Sequence, residues 1–298
     1  MGSDRIARCL LPDLSVRVIS AVTTETAREA ARRHRASGGA AAALGRATTS
    51  GVLLATLTKD VERVTLQLAG HGPLGAITVD ASSDGSTRAF VKHPQVEIPA
   101  LPNQRVKLGP FVGQRGVLGL VRDLGLKEHF SGQTQLVDGE IDTDVEHYLV
   151  TSEQIDSAIG CETLLGEDQA VRISAGVLLQ ALPATQGAPL LELARHRLRE
   201  GLLAELLASD GTTTTPEALA RAVVGPGEEL KVLDVRELRF ACKCSRDRAA
   251  ATLALVGAKD LAELVEPDGS AAVVCEFCRE SYRFTKEEIA EVLAANGY

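Results

Sequence analysis

Apolar positions change period several times along the chain, and each change predicts a different element. Residues 14 to 22 (Leu-Ser-Val-Arg-Val-Ile-Ser-Ala-Val) roughly alternate, as a strand does, and Thr24 to Arg35 reads as a helix with Glu25 in its first turn and arginines later. Ser37 to Leu57 differs from both. Its alanines and leucines are interrupted by Gly38, Gly39, Gly45 and Gly51, which weakens intrinsic helix preference but lets backbones approach closely. A buried helix, packed tightly between other elements, is expected there. Strands are expected at Arg63 to Ala69 and Ala76 to Ala81, on either side of the turn-forming Gly70 to Gly75. Asp84-Gly85 then closes a hairpin into Thr87 to Val91.

Between 103 and 150, short apolar stretches alternate with glycine-containing turns, which predicts a sheet-rich region; Thr151 to Ala158 and Arg172 to Leu182 continue a mixed pattern. Strands and helices come in blocks without a regular βα alternation, so residues 1–189 are expected to form an α+β domain of mixed sheet and helix. From 190 to 207, Leu191, Ala194, Leu198, Leu202 and Leu206 recur at spacings of three and four, the pattern of one amphipathic helix. Gly211 to Thr214 is a polar linker, Thr215-Pro216-Glu217 opens another helix, and Gly225-Pro226-Gly227 ends it. Residues 190–238 are therefore expected to be a helical linker leading to a small module at 239–298.

Composition narrows the class. With 298 residues, 45% of them hydrophobic, the chain can bury a sizeable core, and disorder or a fibrous architecture is excluded. No secretory h-region opens it, and no apolar stretch of about 20 residues is read, so a cytoplasmic protein without a membrane span is expected. The net charge of −8 argues against nucleic acid as a partner. Residues 239 to 298 carry eight basic and ten acidic side chains, so that end is not basic either.

The cysteines carry the chemistry. Of six, Cys9 and Cys161 stand alone and read as small buried residues, while Cys242, Cys244, Cys275 and Cys278 form two close pairs separated by residues 245 to 274. Such pairs match a tetrahedral, all-sulfur zinc site, one ion with four thiolate ligands. The Cys-x-Cys half is the less usual one. It can also close as an intrapair disulfide over a very small ring, which would be strained and easily reduced. Ser245 is the expected N-cap of a helix reaching about Val256, which places Cys244 near a positive helix end beside Lys243, Arg246 and Arg248, and favours thiolate. Thr285-Lys286-Glu287-Glu288 is a capping box opening a last helix to Ala295. For an arbitrary zinc ribbon a purely structural site is the default. The Cys-x-Cys pair, its basic flank and the leucine-rich segment upstream favour a switch instead.

Elsewhere the chain offers little. His34 reads as part of a solvated helix face, His71 and His93 as turn residues, and Ser152-Glu153-Gln154 as a helix cap. No nucleophile, base and orienting group come together, so no enzyme is expected.

The order Cys242-Lys243-Cys244-Ser245-Arg246, a loop of about thirty residues, Cys275-Glu276-Phe277-Cys278, then Tyr282-Arg283-Phe284 resembles the carboxy-terminal switch of the heat shock protein 33 family of redox-regulated bacterial chaperones. The similarity runs through Ala42 to Arg46, Gly72 to Gly75, Arg122 to Gly125, Gly139-Glu140-Ile141 and Leu178 to Pro183, covering essentially the whole chain. Two departures are visible: Ser37-Gly38 where the family often has Ser-Pro, and His147-Tyr148 in place of a frequent Tyr pair. The resemblance implies an inactive, reduced, zinc-bound form and an active oxidised holdase that needs no ATP, with Cys242 bonded to Cys244 and Cys275 to Cys278. It further implies a homodimer on oxidation and unfolding client proteins as partners, held by the linker and adjoining surface, for which Leu191, Leu198, Leu202 and Leu206 are the candidate residues. A thiol-disulfide oxidoreductase, or a structural or nucleic-acid-binding zinc ribbon, are the competing readings.

Overall fold

A computed structural model describes residues 3–57, 62–125, 129–183, 185–210, 214–256 and 269–295. The expected linker at Gly211 to Thr214 lies largely outside them. The chain divides into two compact units, Met1–Ala241 and Cys242–Tyr298.

The first unit is built on two antiparallel-rich sheets. Strands β1 (Arg5–Leu11), β2 (Val16–Val22), β3 (Arg63–Gly70), β4 (Ala76–Ser82), β5 (Ser86–Val91), β6 (Gly116–Asp123), β7 (Phe130–Gln135), β8 (Ser157–Leu165), β9 (Val171–Ala181), β10 (Lys231–Glu237) and β11 (Arg239–Phe240) are joined by helices α1 (Thr24–His34), α2 (Gly38–Leu57), α3 (Gly109–Val112), α4 (Asp142–Ser152), α5 (Ala188–Arg199), α6 (Leu202–Asp210) and α7 (Pro216–Val224). One sheet has the order β10-β1-β2-β9-β8 and the other β11-β5-β4-β3-β6-β7. The α+β architecture expected from the block-wise pattern is therefore the observed one.

Helix α2 lies between the sheets, touching β2, β8 and β9 on one side and β3, β4 and β5 on the other. All of its residues except Gly38 and Thr56 are buried. Its glycines are what let the sheets close on it. A Cβ at Gly45 would lie 2.5 Å from Thr163 Oγ1, and one at Gly51 2.6 Å from Val79 Cγ1. By length and apolar composition the same helix would suffice to cross a membrane, a length not apparent in the sequence because glycines and threonines break the apolar run; here 94% of its apolar 18-residue window is buried inside the protein. At its entry, Gly38 has φ +55°, a left-handed conformation that the fixed φ of proline cannot reach.

The five-stranded sheet is covered on both faces. Every residue of β8 is buried, because α2 packs on one side and α5 and α6 on the other. By contrast β3 alternates buried and exposed positions, as a strand with one solvated face does. A buried ion cluster stiffens the middle. Arg46, fully buried, donates to Glu162 Oε1 at 3.0 Å, Glu140 Oε2 at 3.0 Å and the Val106 carbonyl at 2.8 Å, and Arg105 reaches Glu162 and Asp142.

Several expectations need correction. The single helix over 190–207 is two helices, broken at Gly201, whose φ of +100° an α-helix cannot contain. The break rotates the apolar line: Leu191 and Leu198 are buried on the sheet, but beyond it Leu203 and Leu207 are the buried pair, while Leu202 and Leu206 are half-buried. Residues 231–237, expected to be part of the helical linker, are strand β10, paired antiparallel with β1. Residues 142–150, placed in a sheet-rich region, belong to α4, which Glu153 of the expected Ser152-Glu153-Gln154 cap closes at its C-terminal end. Strand β1 has no counterpart in the expected elements. His34 is buried, its ring 6.3 Å from that of Phe90, instead of lying on a solvated face.

In the second unit, α8 (Arg246–Leu255), the antiparallel hairpin β12 (Ala271–Val274) and β13 (Ser281–Phe284), and α9 (Lys286–Ala295) surround a small core of Ala249, Leu253, Ala271, Phe284 and Ile289.

Candidate metal centre

Two local folds aim the four cysteines at one point. Cys242 and Cys244 lie on the segment entering α8, whose first turn is held by Ser245: its Oγ accepts from the Arg248 backbone N–H at 3.2 Å, as an N-cap does. Cys275 and Cys278 occupy the turn joining β12 to β13. That turn is fixed by the Cys275 N–H donating to the Glu280 carbonyl at 2.9 Å and the Arg279 N–H to the Cys275 carbonyl at 2.8 Å, with Arg279 itself in the left-handed region. Further around, Thr285 N–H donates to Glu288 Oε2 and Glu288 N–H to Thr285 Oγ1, the reciprocal capping box read from the sequence.

The sulfurs converge. Cys242 Sγ lies 3.7 Å from Cys275 Sγ, Cys244 Sγ 3.2 Å from Cys278 Sγ, and all four lie within 4.8 Å of one another. Ligands of a tetrahedral zinc–thiolate centre, with Zn–S near 2.3 Å, sit about 3.8 Å apart, so this donor set fits a soft tetrahedral cation. Electrostatics point the same way. Burial raises the pKa of Cys275 and Cys278, with the Cys242 sulfur adding to it at both, so four thiolates at this separation need a cation among them. Backbone N–H groups partly counter that: those of Phe277 and Cys278 face Cys275, and that of Glu280 faces Cys278. Cys278 is buried, while the other three are half-buried.

The basic flank is used differently from the sequence expectation. Arg246 pairs with Glu288 at 2.6 Å and stacks over Phe284, its guanidinium 4.4 Å from the ring centroid. Arg248 Nη1 donates to the Lys243 carbonyl at 2.8 Å. Arg246 thus ties α8 to the hairpin and to α9, and Arg248 holds the segment that enters α8. Sequence reading missed Tyr282, whose hydroxyl donates to Cys244 Sγ at 3.2 Å. Its only sequence signal was its place in the Tyr-Arg-Phe run. Cys9 and Cys161 are buried in the first unit, as expected of lone cysteines.

Of the candidate residues, the four cysteines are thus brought together by the fold, whereas Leu191, Leu198, Leu202 and Leu206 belong to the first unit, where α5 and α6 pack on β8 and β9. No side-chain set suited to nucleophilic or acid–base catalysis accompanies the cysteines among the described residues.

Comparison with known proteins agrees with the geometry. Residues 4–285 match the family described as Hsp33 protein. The 33 kDa chaperonin of Bacillus subtilis is 35% identical over 286 residues, 96% of this chain and 97% of that protein, and that of Desulforamulus reducens is 37% identical over 97% of both. The crystal structure of the 33 kDa chaperonin (Heat shock protein 33 homolog) from Thermotoga maritima, 29% identical, superposes with a TM-score of 0.84 over 99% of each chain. Matched along almost its entire length, cysteine turns included, the chain belongs to the Hsp33 family of chaperones.

Proposed function

We propose that the four-cysteine centre is a redox switch governing an ATP-independent holdase. The observation that carries this reading is the convergence of four sulfurs within 4.8 Å, three of them half-buried, in a unit whose apolar core is very small. Zinc is the ion we assign: bound there, it would hold the sulfurs as thiolates and cross-link the turn before α8 to the β12–β13 turn.

Peroxide takes two electrons from each pair of thiolates. Two thiolates and one hydrogen peroxide give one disulfide and two hydroxides, and with Cys242–Cys244 and Cys275–Cys278 formed no thiolate ligand remains. Among the described residues five apolar side chains are buried at the centre of this unit, too few to hold it without that cross-link, so it unfolds. Unfolding clients are then held on apolar surface that includes Leu191, Leu198, Leu202 and Leu206, which requires α5 and α6 to lift from the five-stranded sheet, and the oxidised protein acts as a homodimer. A reduced resting state suits the cytoplasm, where thiols stay reduced. Neither nucleic acid nor membrane is a partner in this reading, since the cysteine module is net acidic.

The zinc-loaded chain, mixed with a chemically unfolded client and followed by light scattering, is the test. Reduced protein should leave aggregation unchanged. Peroxide with mild heat should release the metal, form two disulfides and suppress scattering; metal release and disulfide formation without suppression would sink the proposal.

A further inference from the structure

We propose that the edge of β5, with the groove beside α1, is a docking seat for an extended segment of an unfolding client, and that β11 fills this seat in the resting protein. Leu238 carries the chain from one sheet to the other: β10 pairs with β1 in the five-stranded sheet, whereas β11 ends the six-stranded sheet against β5. There the Arg239 N–H donates to the Gly85 carbonyl at 3.0 Å and the Ala241 N–H to the Thr87 carbonyl at 2.9 Å. Between them the half-buried Phe240 packs on the apolar core, its ring centroid 5.0 Å from the Arg33 guanidinium. Beside the ring lies a groove of about 830 Å³ lined in part by Ala31, Ala36 and Val171.

Any sequence can make such backbone hydrogen bonds, and a single aromatic side chain completes the fit. Unfolded chains offer the same chemistry, extended backbone with exposed aromatic residues. The resident strand is weakly held. It pairs over only two residues, and it makes the one parallel pair among the described strands, the less stable geometry. The Arg239–Asp84 ion pair beside it is exposed and contributes little. Directly after Ala241 comes Cys242, the first cysteine of the metal centre, so melting of the second unit leaves β11 without an anchor on that side. Once β11 peels away, the Gly85 and Thr87 carbonyls and the Phe240 seat are open to a client. How the seat is vacated rests on the redox reading above; what fills it does not.

A peptide of residues 236–241, fluorescently labelled and carrying a diazirine on its leucine, is the probe. Reduced Phe240→Ser, with its metal content checked, should bind it, whereas the reduced parent, its seat filled, should not. Illumination should place the label on β5 and α1. A peptide with serine in place of its phenylalanine should bind about tenfold more weakly, as loss of one partly buried ring implies. The peroxide-treated parent should take the label at the same place, and a chemically unfolded client should displace the peptide. Label confined to α5 and α6, no label, or no displacement in a parent that suppresses aggregation overturns the proposal. Equal binding of the serine peptide overturns it too, as does a metal-loaded Phe240→Ser that takes no peptide. Should that variant not retain its metal, the peroxide-treated parent decides. An oxidised parent that fails to suppress aggregation, alongside a reduced variant that takes the peptide, sinks the redox reading and leaves the seat standing; failure of both sinks the two together.

Discussion

Arg46 shows how a single charged residue can be kept in the middle of a core. It is fully buried, yet each side of its guanidinium meets an acceptor: Glu162, Glu140 and the Val106 carbonyl. Burial alone would depress the charge on neighbouring Arg105, but Asp142 and Glu162 outweigh it and hold its pKa above the ordinary value. Removing one partner of such a cluster would strand the others without solvent. Cys9 illustrates the opposite case, a buried titratable group whose neighbouring cation, Arg221, does not offset its burial. Burial, with nearby Glu217 adding to it, pushes the thiol from 9.0 to about 11. Because the folded pKa is raised, this contribution to stability is fully present below pH 9 and is lost as pH rises through about 11. The two-unit difference corresponds to about 3 kcal/mol. Cys9→Ala should therefore flatten the alkaline fall in the unfolding free energy of the first unit, measured by urea titration between pH 8 and pH 11. Cys9 and Cys161 were legible as buried residues from their isolation in the sequence; the Arg46 cluster was not, since its members are scattered from 46 to 162.

Among the elements, α2 depends most on residues that carry no side chain. Its glycines lower helix preference and were readable as signs of close packing; which strands they meet was not, because contacts with Thr163 and Val79 span long stretches of sequence. Thr163 cannot move freely, as its hydroxyl is 2.9 Å from that of Ser174 in a buried hydroxyl chain that continues to Thr49 and Thr23. Gly45→Ala should thus cost about 1–3 kcal/mol even though alanine is the better helix former, and thermal unfolding should show a lowered midpoint. The α5–α6 pair carries the converse lesson. Leucines at spacings of three and four continue past Gly201 in the sequence, but the φ of +100° there rotates the second helix, and Leu203 and Leu207 take over burial from the expected Leu202 and Leu206. Periodicity reports a stripe; a single left-handed residue redirects it.

At the scale of the molecule, the two units differ in what holds them. The first has two extensive apolar cores, one around α2 and one between the five-stranded sheet and α5 to α7. Among the described residues the second has only Ala249, Leu253, Ala271, Phe284 and Ile289 buried at its centre. A unit so small relies on its metal, whose binding free energy, on the order of 10 kcal/mol, becomes folding free energy. A strong chelator under reducing conditions should abolish amide-exchange protection in α8, β12, β13 and α9 while β2, β9 and α2 stay protected. Equal loss from both units would show that the second does not melt on its own.

The sequence by itself determined the chemistry: four cysteines in two close pairs, the Ser245 cap and the Thr285 capping box are local patterns, and each appears where its spacing places it. It also determined the α+β class, since block-wise periodicity is a property of neighbouring residues. Only the tertiary structure decided the pairing of β1 with β10, the sandwiching of α2 between two sheets, the burial of Arg46 with Glu162, and the Tyr282 hydroxyl on Cys244. Each of these joins residues far apart in the chain, and what brings them together is closure of the fold, which local hydrophobic pattern does not encode.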